Sequence, residues 1–132
     1  MSETKFEEKD RYWMAADIEK NRLNLYFVGH WDSPDDVPKY TEHVAKAVGM
    51  LKQGYTIYAE ILDEKPPSLK VTSVHKKGQQ IMKDAGVTKT AVYLPKGKML
   101  QKMSLMVVGR LSGMEVKTFG NTEEALVWLE EK

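Results

Sequence analysis

Residues 54–74 read GYTIYAEILDEKPPSLKVTSV. Tyr55 to Leu62 is a short run of branched and aromatic residues closed by charged ones, which predicts a β-strand rather than a helix. Asp63, Glu64 and Lys65 leave that strand as a loop. Pro66 and Pro67 then fix their own φ and hold the residues before them out of the helical region. Helix formation is thereby delayed to Ser68, a good N-cap, after which Val71, Val74, Gly78, Ile81, Met82 and Ala85 recur at three-and-four spacing up to Gly86. A strand followed by a capped helix and a glycine stop is half of a parallel crossover unit. The fold follows from finding the same unit on both sides.

Upstream, Ser33-Pro34-Asp35-Asp36 has the features of a helix start: an N-cap, a proline at the first helical position and two carboxylates where the dipole favours negative charge. Val37, Tyr40, Val44, Val48 and Leu51 share one face of that helix, which stops at Gly54. Tyr12–Ile18 and Leu23–Trp31 alternate in the manner of paired strands and are joined at Asn21, a residue tolerant of positive φ, so they form an expected hairpin. Downstream, a strand over Thr90–Leu94 is bounded by Pro95, a helix covers Met99–Leu111, a strand covers Glu115–Phe119, and Asn121-Thr122 open a last helix. The order is β-β-α-β-α-β-α-β-α. Strands separated by helices are parallel with right-handed crossovers, so the expected class is α/β, a single mixed, mostly parallel five-stranded sheet with an N-terminal hairpin and about four helices.

With 132 residues the chain fits one domain, and its hydrophobic and charged content suits a water-soluble globule with one core. Residues 1–11 lack apolar periodicity apart from Phe6 and are expected as a flexible leader, leaving 12–132 as the domain. No apolar run long enough to span a membrane and no signal peptide is visible, so the expected location is the cytoplasm. The absence of cysteine excludes disulfides, thiolate zinc sites and cysteine nucleophiles. A formal net charge of +1 with interspersed signs makes no case for nucleic acid.

In open α/β sheets ligands sit at the carboxyl ends of the strands. Four loops fall there: 30–33, 63–68, 95–98 and 120–122. The expected rim is therefore Trp31, Asp63, Pro66 and Pro67. Ser68 serves as a helix cap or as a phosphoacceptor or anion site, with Lys96 and Lys98 on the neighbouring loop supplying counter-charge. The helix MLQKMSLMVVGRLSGM carries more apolar residues than one stripe accounts for. Met99, Met103, Leu105 and Met106 thus mark either an enclosed helix or a surface for a protein partner, a second subunit or an apolar ligand. His30, His43 and His75 match no metal spacing and are expected in surface or capping roles. Asp32, Asp35 and Asp36 lack the calcium-loop order and fit the helix start. Glu60 is out of place in a buried parallel strand; an exposed face or an ion pair is its expected setting, against a catalytic acid. No metal, no cofactor and no established catalytic motif is expected.

Taken together, WMAADIEKNRLNLYFVGHW, YTIYAEILD entering DEKPPS, TAVYLP and FGNTEEALVWL resemble the SpoIIAA-like branch of the STAS domains over 13–129, in pattern and topology rather than by a signature. The resemblance implies an anti-sigma-factor antagonist type of fold and a non-enzymatic regulatory or protein-interaction module. In regulatory members a serine in an Asp-Ser-Ser-Gly-like motif at the start of the second helix is phosphorylated by a partner kinase. Here Asp63 precedes Ser68 by five positions and no glycine follows; Thr72 and Ser73 are nearby hydroxyls. The alternative expectation is a carrier or sensor of an apolar, lipid-like small molecule in a cavity lined by Met99, Met103 and Met106. A third is an enzyme around Glu60, Asp63 and His30.

Overall fold

The computed structural model describes residues 3–62, 68–94 and 116–131. Along the chain run β1 (Glu3–Glu8), β2 (Tyr12–Asp17), β3 (Arg22–Phe27), a 3-10 turn (Pro34–Asp36), α1 (Tyr40–Gly49), β4 (Thr56–Ile61), a 3-10 turn (Leu69–Val71), α2 (Thr72–Asp84), β5 (Lys89–Tyr93), β6 (Lys117–Phe119) and α3 (Thr122–Glu130). The strands form one mixed sheet in the order β1-β2-β3-β4-β5-β6. Its first two pairings are antiparallel and its last three parallel. The α/β class is as expected, whereas the counts differ: six strands and three α-helices among the described residues. The helix expected over 99–111 lies outside them.

The sixth strand comes from the segment expected to be a leader. Glu3–Glu8 pairs with β2 along its whole length, Phe6 standing opposite Met14. An edge strand needs only one ladder and one inward side chain, and the half-buried Phe6 supplies the latter by packing against the core. The charged residues around it stay exposed and blunt the free edge. The first helix also differs. Val37 takes φ −136° and ψ 57°, outside the helical region, because Pro38 follows it, so the turn at Pro34–Asp36 ends there and α1 begins separately at Tyr40.

Glycine punctuation is observed where two helices return to the sheet. Gly54 and Gly86 have φ of 94° and 95°, and the Gly54 amide donates to the Gly86 carbonyl at 2.8 Å, tying the turns before β4 and β5 together. In the hairpin Asn21 has φ 52°; its side chain accepts from the Lys52 amide at 2.8 Å and donates to the Lys52 carbonyl at 3.1 Å.

Strand parity sorts the side chains onto two faces. One carries Tyr12, Met14, Ala16, Leu23, Leu25, Ile57, Ala59 and Val92 into a core closed by Tyr40, Val44, Ala47 and Val48 of α1 and Val71 and Met82 around α2. The helices approach closely: a Cβ on Gly78 would lie 2.8 Å from Tyr40 Cε2, so only glycine fits there without displacing the ring. On the other face α3 presses Ala125 and Leu129 against Tyr58 and Ala91. This second core is smaller and is edged by Tyr26, Tyr93, Phe119 and Trp128.

Candidate functional site

Because β3, β4, β5 and β6 run parallel, the loops leaving their carboxyl ends begin at one edge of the sheet. Ser68 stands there at φ −67° and ψ 141°, and its hydroxyl accepts from the Lys70 amide at 3.2 Å, so the predicted cap exists, although it caps the short turn that runs into α2. Ser68 is half-buried, while Leu69 beside it is 90% exposed. Asp63, Pro66 and Pro67, with Lys96 and Lys98 and the apolar set Met99, Met103, Leu105 and Met106, lie outside the described residues.

Trp31 does not form a rim. It is 4% exposed, its indole nitrogen donates to the Arg11 carbonyl at 3.1 Å, and its ring is stacked on His75 at 4.8 Å and 5°. Tyr40, Phe27 and Tyr12 complete the enclosure at centroid distances of 4.8, 5.4 and 5.6 Å. The chain turns inward after β3 because an indole of this size stabilises more by burial than at a loop tip, provided its N–H finds an acceptor.

Two histidines expected at the surface are built into this aromatic nest. Burial pushes His75 down to about 4, so at neutral pH its ring is uncharged and packs as an aromatic. His43 Nδ1 lies 2.6 Å from the Tyr12 hydroxyl. Burial raises the phenol and lowers the imidazole, although Glu8 and Glu42 pull the latter back. Which of the two donates follows the histidine tautomer, and Glu8 is a second partner of the same hydroxyl. His30 is the exception, with Nε2 3.1 Å from Asp32 Oδ1. Asp36 organises that loop, accepting from the Asp32 and Ser33 amides at 2.8 and 3.2 Å, which holds its carboxyl below the usual range, with Arg11 adding to the effect at 3.6 Å.

A second constellation lies on the α3 face. The pairing registers align Glu7, Trp13, Tyr26, Glu60, Tyr93 and Phe119 in one row across the strands. Trp13 and Tyr26 stack at 4.0 Å and 16°. Glu60 Oε2 accepts from the Tyr58 hydroxyl at 2.6 Å; Thr122 Oγ1 is 3.2 Å from the same hydroxyl. Glu60 is thus half-buried and, among the described residues, anchored by a phenol rather than by an ion pair. Burial, then the charges of Glu60 and Glu3, raise the Tyr26 hydroxyl above its ordinary range. The strand parities carried half of this signal, but the row itself needed the registers.

Among the described residues no group of three or more histidine and acidic side chains is placed to hold a metal ion, and no helix is long and apolar enough to cross a membrane. No known protein family, curated protein or solved structure matches the chain.

Proposed function

We propose that the chain is a non-enzymatic regulatory module of the cytoplasm that works by binding a protein partner at the carboxyl edge of its sheet, in the manner of the SpoIIAA-like domains it resembles, with Ser68 as the switched residue. The observation that carries this reading is the pairing of Ser68 with Leu69, a large apolar side chain left 90% exposed beside the serine at the start of a helical segment. Exposed leucines are common singly, but one adjoining a hydroxyl at a ligand-prone sheet edge is a recognition hook with a switch beside it. A phosphoryl group on Ser68 would add close to two negative charges where backbone amides and the helix dipole favour them and would compete for the Lys70 amide. That changes the charge and the local backbone of the hook together.

The test is incubation of the chain with ATP and lysate of its native host, followed by peptide mass spectrometry. A phosphate-mass adduct on Ser68, abolished in Ser68→Ala, supports the switch; an unmodified Ser68 with adducts elsewhere or none refutes it. Partner capture that survives Leu69→Ala unchanged refutes the hook. Leu69→Ala is otherwise expected to alter stability by less than about 0.5 kcal/mol, since an exposed side chain has little packing to lose.

A further inference from the structure

The row on the α3 face repeats one motif, a carboxylate beside aromatic rings, and its outer end is already filled. There the Lys5 ammonium lies 4.9 Å from the Trp13 ring centroid and 3.7 Å from Glu7 Oε2. Elsewhere on the same face Lys89 lies 5.2 Å from the Trp128 ring, and Lys117 lies 5.3 Å from the rings of both Phe119 and Trp128. Ammonium groups over rings are therefore the recurring contact of this surface. The middle of the row has the same chemistry: Glu60 stands between Tyr26 and Tyr93 in register, with Trp13 stacked on Tyr26. Its partner among the described residues is the Tyr58 hydroxyl, which occupies Oε2; no described lysine or arginine reaches it. Among the described residues no donor reaches Oε1, and the four side chains of this segment are half-buried, so each keeps a reachable edge.

We infer that Glu60, Tyr26 and Tyr93, with Trp13 backing Tyr26, form a docking site for a lysine side chain carried by an extended basic segment of a protein partner. Glu60 supplies the charge, the rings supply their negative faces, and Tyr58 holds the carboxylate in place before the ligand arrives. A peptide is favoured over a small amine by the shape of the surface. Five strand spacings of about 4.8 Å extend the row over roughly 24 Å, a length that about seven extended residues match and a single ammonium head does not. Charge around the proposed site agrees, since Glu3, Glu7 and Glu60 lie there against Lys5, while Lys89 and Lys117 on the same face are taken up by the Trp128 and Phe119 rings. The inference rests on the reading of the chain as an interaction module but not on Ser68, and it is tested without any phosphorylation.

The experiment is a heteronuclear NMR titration of the full chain with a short Gly-Lys peptide, with the same peptide acetylated on its lysines, and with n-butylammonium, all at equal ionic strength. Expected are saturable shifts of the Trp13 indole and of the Tyr26, Glu60 and Tyr93 amides with the unmodified peptide, absent with the acetylated one, and weakened about tenfold or more in Glu60→Gln. The side-chain amide oxygen introduced by Glu60→Gln can still accept from Tyr58, and the melting transition of the variant reports whether the fold is intact. Should it be lowered, Tyr26→Leu, which removes a ring and keeps the carboxylate, must weaken the peptide equally. Shifts that are missing, that persist with acetylated peptide, or that survive both substitutions overturn the site. Butylammonium binding as tightly as the peptide overturns the partner segment, because a small amine would then satisfy the row.

Discussion

The two faces of the sheet differ in kind. Under α1 and α2 lies a continuous core in which even the polar groups have been made apolar in effect: a neutral His75 stacked on Trp31 and a Tyr12 hydroxyl closed on His43. Under α3 the buried cluster is, among the described residues, four side chains with a half-buried aromatic margin, and the helix is held by charge as much as by packing. Arg22, buried in β3, reaches Glu130 at 2.6 Å, and Lys89 donates to the carbonyls of Trp128 and Glu131 at 2.8 and 2.5 Å, capping the end of the helix. The first face holds the fold together; the second leaves rings and a carboxylate within reach of solvent, where binding chemistry can act.

The sharpest way to break that contrast is to truncate one side chain on each face. Ile57 is 1% exposed in the central strand β4, and Ile57→Ala is expected to cost about 4 kcal/mol, because α1 and α2 leave little room to collapse onto the void. Leu129→Ala, on a helix with fewer packed neighbours and a 5% exposed side chain, is expected to cost nearer 2 kcal/mol. Urea midpoints with unchanged slope measure both. Equal losses would mean that the faces contribute alike.

Why the faces were not equally legible beforehand is a matter of period and register. The alternation of β2 and β3, the run in β4 and the glycines at 54 and 86 all act locally, and each was visible one segment at a time. Glu3–Glu8 was not, because an edge strand with one inward side chain shows too little alternation to register as a strand. Pro38 sat in plain view, yet the helix-start signals at 33–36 outweighed it until the backbone of Val37 showed the break. Ser68 as a cap was readable from the prolines before it, whereas Trp31 and His75 find each other only because β3 and α2 pack, at a separation of 44 positions that no local pattern spans. Glu60 stood out as a lone charge in a strand, but its aromatic neighbours come from β3 and β5 and needed the pairing registers.

The next contrast is in response to acid. His75 titrates near 4 in the folded chain and near 6.5 when unfolded. Between those values the unfolded chain binds a proton that the folded chain refuses, so stability is complete above about pH 6.5 and falls as the pH drops toward 4. The upper limit is about 3 kcal/mol, reduced because the ring is only half-buried and keeps an edge near solvent. His43, also lowered by burial, adds in the same direction. His75→Phe keeps a ring against Trp31 and removes the titration, so its urea midpoint should fall less than that of the parent chain between pH 6.5 and 4.5. Parallel profiles would show that the nest does not exclude the charge.

The smallest expected effect tests the charged clasp of α3. Glu130→Gln removes the partner of a guanidinium whose side chain is 5% exposed, and breaking a fully buried pair in this way would cost several kcal/mol. Three features reduce that here. The Glu130 side chain is 66% exposed, so much of its attraction for Arg22 is already screened by water. Arg22 keeps the Thr56 hydroxyl at 3.2 Å, and it stands opposite Asp17, itself 8% exposed, in the hairpin register. About 1 kcal/mol of global stability is therefore expected, with the change concentrated in local opening. Amide hydrogen exchange should quicken along α3 while α1 and β4 keep their protection, since the capping by Lys89 and the packing of Leu129 hold the helix in place once the clasp is gone. A uniform loss of protection across α1, β4 and α3 would instead make the clasp part of the same cooperative unit as the larger core, and the division of labour between the two faces would fail.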